Sequence, residues 1–337
     1  MTSRALKTAF LVTIALLAWT TETAAQNPNV GTAGAKFLKI PAGARAAALG
    51  GAVVASIDDP SAVFWNPAGI VGVRSAGLQV SHTPWWATTK INNVALVTSF
   101  EDFGSIGVSL TTLTMDDMEV TTELEPEGTG QMFDAGDMMI GFTYARRLTQ
   151  DFTVGITAKY VNQRIWNETA NGWALDIGTQ YRIGFRDLTL AMSMMNFGPD
   201  MSYDGSDLDV KYDANNNTPE NRLTPARLDP ETYPLPLSFQ LGISMTAFST
   251  DGLSLLLAAD VVHPNDNVER VHVGGELAVL ENFFLRGGYR FGYDLESATF
   301  GAGASLPIGE TKLTFDYAYA LYDLLPNVSR FSLSIAF

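Results

Sequence analysis

The feature that most constrains the fold is an alternation of apolar and polar residues with a period of two. In the segment KLTFDYAYAL, Leu313 and Phe315 fall on one face, while Lys312 and Thr314 fall on the other. The last ten residues repeat the alternation and end in the aromatic Phe337. Successive side chains of a β-strand point to opposite faces, so the pattern predicts strands with one apolar and one polar face.

The same pattern predicts fourteen strands along the chain. Many of them run to ten residues or more, which is longer than the usual five or six and close to the nine to eleven that cross a bilayer obliquely. Their predicted ranges are 74–83, 91–100, 104–114, 136–147, 152–164, 172–182, 187–196, 235–247, 252–262, 269–279, 282–292, 296–307, 311–322 and 328–337.

The connections between these strands alternate in length. Tight links follow the even-numbered strands and longer loops follow the odd-numbered ones, most clearly at 115–135 and 197–234. An even strand count with short periplasmic turns and longer extracellular loops is typical of bacterial outer-membrane barrels. We therefore predict an all-β, transmembrane antiparallel barrel of about 14 strands, closed so that no strand edge faces lipid.

Composition excludes several other classes of protein. Only 17% of the residues are charged, below the roughly 25% of soluble domains, which indicates that outer-membrane lipid solvates part of the surface. The chain has no cysteine, which excludes disulfides, thiolate metal sites and a cysteine nucleophile. A net charge of -15 argues against nucleic acid as a partner.

The N-terminus has the pattern of a secretory signal. Arg4 and Lys7 precede an apolar run over 9–19, and the small residues 23–25 follow it. The run is too short for an uncleaved membrane anchor. We predict a signal peptide over 1–25 and export by the general secretory pathway.

Residues 26–72 are predicted to form a plug, or hatch, ahead of a barrel over 73–337. A barrel of this strand number is wider than the eight-stranded type that side chains can fill. Asp59 and Pro60 predict a capped helix, which Pro67 would close. The alternative is a flexible periplasmic leader, but apolar residues such as Phe64 and Trp65 favour a segment packed in the lumen from the periplasmic end.

The segment FLKIPAGARAAALGGAVVASIDDPSAVFWNPAGI, 37–70, resembles the N-terminal signature of the PorV/PorQ-type outer-membrane proteins, a branch of the FadL-like fourteen-stranded barrels. The resemblance implies a hatch inside the barrel. It also implies one of two roles: an adaptor that binds secreted proteins in type IX secretion, or a channel for hydrophobic small molecules. The residues that carry the hatch motif are Gly43, Arg45, Gly50, Gly51, Asp59, Trp65, Asn66 and Pro67.

The polar face of the strands places charged side chains in the lumen. Because buried charges persist when they are paired, we interpret these as mutually paired groups that brace the interior. A proton relay or an ion filter is the alternative. The predicted lumen charges are Lys159, Asp176, Asp260, His272, Glu276, Arg286, Arg290, Lys312 and Asp316.

The two long loops are acidic and carry apolar residues suited to contact with a protein or a lipid. The acidic positions are interpreted as solvated surface. An EF-hand fails because Thr218 and Thr224 stand where its glycine and glutamate belong, and no metal site is predicted. The predicted contact residues are Met115, Met118, Met132, Phe133, Met201 and Tyr203, and Phe337 is the predicted signal for the barrel-assembly machinery.

No hydrolase, metalloprotease or phosphate-binding motif occurs, so we predict a protein that is not an enzyme and has no cofactor. An adaptor is expected to show apolar surface on its extracellular loops. A transporter is expected to show an apolar pocket continuous with a bulged strand, and a structural barrel with a shut lumen is the third possibility. The glycines that could mark such a bulge are Gly141, Gly155, Gly274, Gly275, Gly287 and Gly288.

Overall fold

A computed structural model describes residues 29–212 and 224–337; the predicted signal peptide lies outside them. Fourteen long strands form the wall of the molecule. Their bounds are β1 (Ala76–Pro84), β2 (Lys90–Phe100), β3 (Gly104–Thr114), β4 (Ala135–Arg147), β5 (Phe152–Ile165), β6 (Glu168–Ile183), β7 (Leu188–Phe197), β8 (Ser238–Thr250), β9 (Leu253–Pro264), β10 (Arg270–Val279), β11 (Phe283–Phe291), β12 (Glu296–Ile308), β13 (Thr311–Tyr322) and β14 (Val328–Ala336).

These strands close into one antiparallel barrel. Each strand pairs with the next in chain order, and β1 pairs with β14 through a register that includes Val80 and Leu333. The prediction of a closed 14-stranded barrel is confirmed. Two short hairpins lie in the loops, one pairing Met118–Glu119 with Met132–Phe133 and the other pairing Asp209–Tyr212 with Thr224–Arg227.

The two ends of the barrel differ in the length of their connections. At the short-turn end, the links between β2 and β3, β4 and β5, and the later pairs are brief, whereas the loop from β7 to β8 spans 198–237. We call the opposite end the long-loop end. One expectation is wrong: β5 and β6 join there through only Trp166 and Asn167, because their pairing continues to Ile165 and Glu168. This hairpin consequently extends the wall where a longer loop was predicted.

The two faces of each strand have opposite character. In β13, the outward Phe315 is 50% exposed while the inward Asp316 is 3% exposed. Outward positions along the wall carry exposed Leu, Ile, Val and Phe, and inward positions carry buried Ser, Thr and charged residues. Among the described residues, no helix is both long and apolar enough to cross a membrane.

The segment before β1 fills the lumen, as predicted for the hatch. It contains a 3₁₀ helix (Lys36–Lys39), the short helix α1 (Ala44–Ala48) and two further 3₁₀ helices (Pro60–Phe64 and Pro67–Gly72). Its buried apolar side chains pack against inward alanines and valines of the wall. This core includes Leu49, Val53, Ile57, Val63, Ile70, Ala95, Val97 and Ala145.

Two side-chain caps shape the centre of the hatch. The Asp59 carboxylate accepts a hydrogen bond from the Ser61 amide at 2.8 Å, as expected of an N-cap. Asn66 caps a second helix in the same way, since its Oδ1 accepts from the Ala68 amide at 3.1 Å. Pro67 therefore begins a second helix at its first position in addition to ending the first.

The hatch spans the lumen from end to end. The Gly31 amide donates to the carbonyl of Asp266 at 3.3 Å, and the Gly34 amide donates to that of Pro234 at 3.0 Å, both in loops of the long-loop end. At the other end, the Ser99 hydroxyl donates to the Val73 carbonyl at 2.6 Å. The described hatch therefore runs from the long-loop end to the short-turn end, where β1 begins, and the expectation that it enters from the short-turn, periplasmic end is wrong.

Candidate functional site

The wall glycines lie where the hatch backbone touches the barrel. A side chain at inward-facing Gly274 or Gly288 would collide with the backbone of Leu49 or Gly50. Gly155 faces the backbone at Pro67 in the same manner. Close packing of two backbones requires the absence of a Cβ atom, which explains these glycines.

The predicted bulges at wall glycines are wrong. Pairing runs without a register shift through Gly274 and Gly275 in β10 and through Gly287 and Gly288 in β11, and likewise through Gly141 and Gly155. The register shifts lie elsewhere, at 175–177, 246–248 and 296–299. The described wall therefore contains no glycine-marked bulge that could open toward lipid.

Arg45 of the hatch joins a chain of buried charges in the wall. Its guanidinium donates to Glu276 at 3.1 Å and to Asp59 at 3.1 Å. Glu276 also accepts from Arg286 at 2.5 Å, and Arg286 donates to Asp316 at 2.7 Å. Alternating signs within hydrogen-bond distance satisfy these groups and tie hatch to wall.

Other predicted residues also join the hatch to the wall. Asp260 of β9 accepts hydrogen bonds from the amides of Val53 at 2.8 Å and Val54 at 3.0 Å. The side-chain Nδ2 of Asn66 donates to the Val54 carbonyl at 2.9 Å and to the Thr179 carbonyl, in β6, at 3.1 Å. Buried polar groups of the hatch are thus satisfied by the barrel.

Three glycines and one tryptophan of the hatch motif shape its turns. Gly43, Gly50 and Gly51 have φ values of 83°, 65° and 79°, in the left-handed region that favours glycine. The Gly50 carbonyl accepts a hydrogen bond from Arg290 at 2.8 Å. The Trp65 indole donates to the Ala42 carbonyl at 3.0 Å, which joins two parts of the hatch.

The remaining predicted lumen charges divide between the interior and the rim. Lys159 contacts Asp176 at 2.6 Å and donates to Asn196 at 2.8 Å, all deeply buried. Lys312 lies on the inward face of β13 but at the short-turn end, where its side chain is exposed. Lys312 consequently does not fill the lumen, because the strand reaches the rim there. His272 and Arg290 line a cavity on the side of the hatch that faces the long-loop end.

A cavity of about 380 Å³ lies between the hatch and the long-loop end. We call it the vestibule. Its floor is formed by 37–42 with Phe64 and Trp65, and its aromatic walls are Trp85, Trp86, Tyr293 and Tyr322. Cavities of this size with apolar walls and a few polar groups are typical of ligand sites.

Most charged groups of the vestibule lie within 270–296, whereas Lys39 and Lys159 line it from the hatch and from β5. Arg290 donates to Glu296 at 2.7 Å, and a ring nitrogen of His272 lies 3.1 Å from the Tyr293 hydroxyl. The guanidinium carbon of Arg270 lies 3.9 Å from the centre of the Tyr293 ring. This arrangement offers cations beside aromatic rings.

Sequence analysis missed Arg270, Tyr293 and the Trp85–Trp86 pair. The two indoles directly follow β1, with ring centres 4.3 Å apart, and the Trp86 indole donates to the Pro326 carbonyl at 2.8 Å. Adjacent tryptophans in a short loop were the available signal. Nothing in the sequence indicated that this loop and 292–295 would meet.

The predicted loop contacts occupy several environments. Met118 and Met132 are exposed on the hairpin of the 115–134 loop, and Met115 is half-buried nearby. Phe133 packs on Trp166 with ring centres 6.2 Å apart. This hairpin therefore leans against the extended β5–β6 hairpin and presents methionines to solvent.

Met201 is a correction, because it is 1% exposed. It packs with Phe37 of the hatch and with Leu235, and its backbone pairs with that of Tyr233. Tyr203 is half-buried, and its ring lies 5.9 Å from that of Tyr233. The two described ends of the β7–β8 loop, which carry Met201 and Leu235, pack against Phe37 of the hatch, and this packing removes Met201 from the surface.

The C-terminal residue and the possible metal ligands remain. Phe337 is exposed at the short-turn end, where its amide donates to the Ala76 carbonyl at 2.9 Å. In the part of the chain that the structure describes, no group of three or more His, Asp or Glu side chains is arranged to hold a metal ion.

Comparisons with known proteins identify related sequences and folds. The family model for the type IX secretion system protein PorV matches residues 23–221. No curated protein gives a significant sequence match.

Solved structures share the architecture at low sequence identity. The CymD monoaromatic hydrocarbon channel is 14% identical, with a TM-score of 0.52 over 88% of this chain and 97% of that chain. A Pseudomonas aeruginosa FadL homologue is 13% identical, with a TM-score of 0.52 over 88% and 98%. The Pseudomonas putida toluene transporter TodX is 12% identical, with a TM-score of 0.53 over 87% and 96%. At these identities the likeness concerns the fold alone.

Proposed function

Because the chain belongs to the PorV family of type IX secretion system proteins, we propose that it is a non-enzymatic outer-membrane adaptor that binds secreted proteins at its long-loop end. The observation that carries the proposal is the hatch, which fills the lumen and leaves the vestibule on the long-loop side. A barrel filled in this way is unsuited to passing a polypeptide through its own lumen. Its contribution to secretion is then binding, at the surface that the loops and the vestibule provide.

The long-loop end also offers apolar surface of the kind that an adaptor needs. Leu124 at the tip of the 115–134 loop is 94% exposed, and Met118 and Met132 are exposed on its hairpin. Flexible methionine side chains suit contact with partners of varied shape. Exposed apolar side chains that are grouped in one loop indicate a binding surface, whereas singly scattered ones do not.

The first experiment is native mass spectrometry of the protein purified in mild detergent from its own outer membrane. Bound polypeptides that share a C-terminal domain are the expected result. The double variant Leu124→Ser with Met132→Ser should reduce the bound fraction. Leu148→Ser with Phe185→Ser is the matched control, because both residues are exposed at the short-turn end, and it should retain the partner.

A hydrophobic small-molecule channel is the second candidate. The vestibule favours it through apolar lining residues such as Phe37, Phe64 and Met139, and the named channels share the fold. Because the wall pairs continuously at the predicted glycines, it has no lateral opening at those positions. A bound fatty acid or aromatic hydrocarbon without any polypeptide, in the same mass spectra, would replace the adaptor proposal with this one.

A further inference from the structure

We propose that the vestibule is a carboxylate-binding site, in which Arg270 receives the carboxylate and the rings of Trp85, Trp86 and Tyr293 hold the apolar group beside it. The inference rests on the proposed function and deepens it. It specifies which part of a bound polypeptide enters the barrel: a chain end or a side chain that carries a carboxylate.

Cations outnumber carboxylates around the vestibule. Asp266 is shared by two lysines, Lys36 and Lys39. Glu296 pairs with Arg290, and buried Arg330 lies close enough to interact with the same carboxylate. The vestibule lining thus holds four cationic side chains, Lys39, Lys159, Arg270 and Arg290, against the two carboxylates of Asp294 and Glu296, although the chain as a whole carries a net charge of -15.

Arg270 lies in the vestibule lining beside Tyr293. Its guanidinium carbon lies 3.9 Å from the centre of the Tyr293 ring, and its buried Nε has no hydrogen-bond partner among the described residues. Stacking occupies the face of the guanidinium and leaves the two terminal nitrogens, in its plane, to donate to a ligand. A planar fork of donors matches the two oxygens of a carboxylate.

A second arginine, Arg330 of β14, is fully buried (0% exposed) behind the vestibule wall. Its guanidinium carbon lies 5.5 Å from the centre of the Trp85 ring, with the Tyr322 hydroxyl nearby. No hydrogen-bond acceptor among residues 29–212 and 224–337 meets its guanidinium nitrogens with good geometry. A buried cation without a full set of partners raises the positive potential of the adjoining cavity, where the effective dielectric constant is low.

Aromatic rings of the vestibule offer a surface for the apolar part of a ligand. Trp86 packs against Tyr322 with ring centres 4.8 Å apart, and its indole N–H is fixed by the Pro326 carbonyl. These held rings form a rigid apolar wall, which costs little entropy when a ligand binds. A volume of about 380 Å³ admits a few residues and not a folded domain.

The chemistry on which this site selects is a carboxylate with an apolar group next to it. In a secreted protein this is the C-terminal residue or an acidic side chain beside an apolar one. A free fatty acid offers the same pairing. The test must therefore show whether a carboxylate is bound, and whether that carboxylate belongs to a polypeptide or to a fatty acid.

Isothermal titration calorimetry on the full chain in detergent separates them with four probes. Two are an N-acetylated tripeptide of alanine, leucine and phenylalanine with a free C-terminal carboxylate and the same peptide as its amide. The others are decanoate and decanol. Each is titrated into the wild type, into Arg270→Gln and into Arg270→Lys, and also into Arg147→Gln, an exposed arginine at the short-turn end that serves as the matched control.

The expected result is a free-carboxylate peptide that binds at least about tenfold more tightly than its amide, because the amide loses a charge-assisted hydrogen bond. Arg270→Gln should abolish that difference, Arg270→Lys should retain part of it, and Arg147→Gln should retain all of it. If all variants show the same shift in migration on SDS gels between unheated and heated samples as the wild type, their barrels are folded.

The other outcomes are equally informative. Decanoate that binds through Arg270 while the peptides do not would uphold the carboxylate site and count against a polypeptide occupant. Equal affinity for carboxylate and amide would overturn the site and leave loop-mediated binding of secreted proteins standing. Absence of binding by all four probes would also overturn it.

Discussion

Glu276 is the residue on which the attachment of the hatch depends most directly. Its carboxylate accepts from Arg45 of the hatch and from Arg286 of the wall, and it lies in the lumen. Burial of a single charge is costly, whereas a buried cluster that satisfies its members is tolerated. Removal of Glu276 takes one acceptor from each of Arg45 and Arg286, which keep Asp59 and Asp316 on the two sides of the gap. Breaking a buried pair in this way costs more than the pair contributes by itself.

We predict that Glu276→Gln lowers the free energy of unfolding by about 3 kcal/mol, which is the lower end of the range found when one partner of a buried ion pair is removed. Denaturant unfolding in detergent micelles, followed by tryptophan fluorescence, measures the change. Glu269→Gln is the control, since Glu269 pairs with His263 in an exposed loop, and it should change stability by less than about 0.5 kcal/mol. Equal effects of the two variants would show that the lumen cluster does not hold the hatch.

At this scale the sequence predicts the face on which a side chain lies but not its partner. Alternation placed Glu276 and Asp316 inward, because the face of a residue depends on parity alone. The link from Arg45 to Glu276 joins positions 231 residues apart, and no local pattern encodes such a distance. Lys312 and Met201 were misplaced for the same reason: parity gives neither the depth of a residue in the barrel nor the course of a 40-residue loop.

At the scale of elements, the hatch and the wall pack backbone to backbone. Leu49 and Gly50 lie directly against the glycine pair of β10 and β11, Gly274 and Gly288. Gly287, the residue before Gly288, faces outward. Its Cβ would lie 4.0 Å from the nearest atom outside its own chain neighbours, the Thr299 carbonyl oxygen. Two consecutive glycines therefore have different roles.

This difference gives a matched pair of variants. Gly288→Ala should displace the hatch turn, because overpacking of a filled interior costs about 1–3 kcal/mol, and single-channel recordings in planar bilayers should show raised ion conductance. Gly287→Ala places its methyl group toward lipid and should leave conductance unchanged, with a small gain in stability from the stiffer strand. Raised conductance in both variants, or in neither, would refute the view that Gly288 admits the hatch.

Elements were predicted better than contacts, and the reason is physical. A strand between lipid and a polar lumen must alternate, so its existence follows from its own residues. The β5–β6 turn at Trp166 was missed because the residues on both sides extend a pairing that depends on the partner strand. The glycines of the wall were interpreted as bulges because a glycine in a strand signals a close approach without showing which backbone approaches.

At the scale of the whole molecule, the hatch connects the two sides of the membrane. Gly31 bonds to the 265–269 loop at the long-loop end, whereas β1 starts at the short-turn end. If long loops face the outside, as in outer-membrane barrels generally, the first described residues lie at the cell surface. A hatch with this course borders the vestibule directly, through 37–42, Phe64 and Trp65.

The absence of cysteine allows this topology to be tested by single-cysteine labelling of intact cells. We expect a membrane-impermeant maleimide to label Val30→Cys and Leu124→Cys from outside, since both side chains are exposed at the long-loop end. Asp102→Cys, exposed in a turn at the opposite end, should react only after the outer membrane is permeabilised. Labelling of Val30→Cys and Asp102→Cys together, only after permeabilisation, would place the start of the hatch in the periplasm. Because Leu124→Cys reports the loops independently, that result would separate an error in the course of the hatch from an error in the orientation of the barrel.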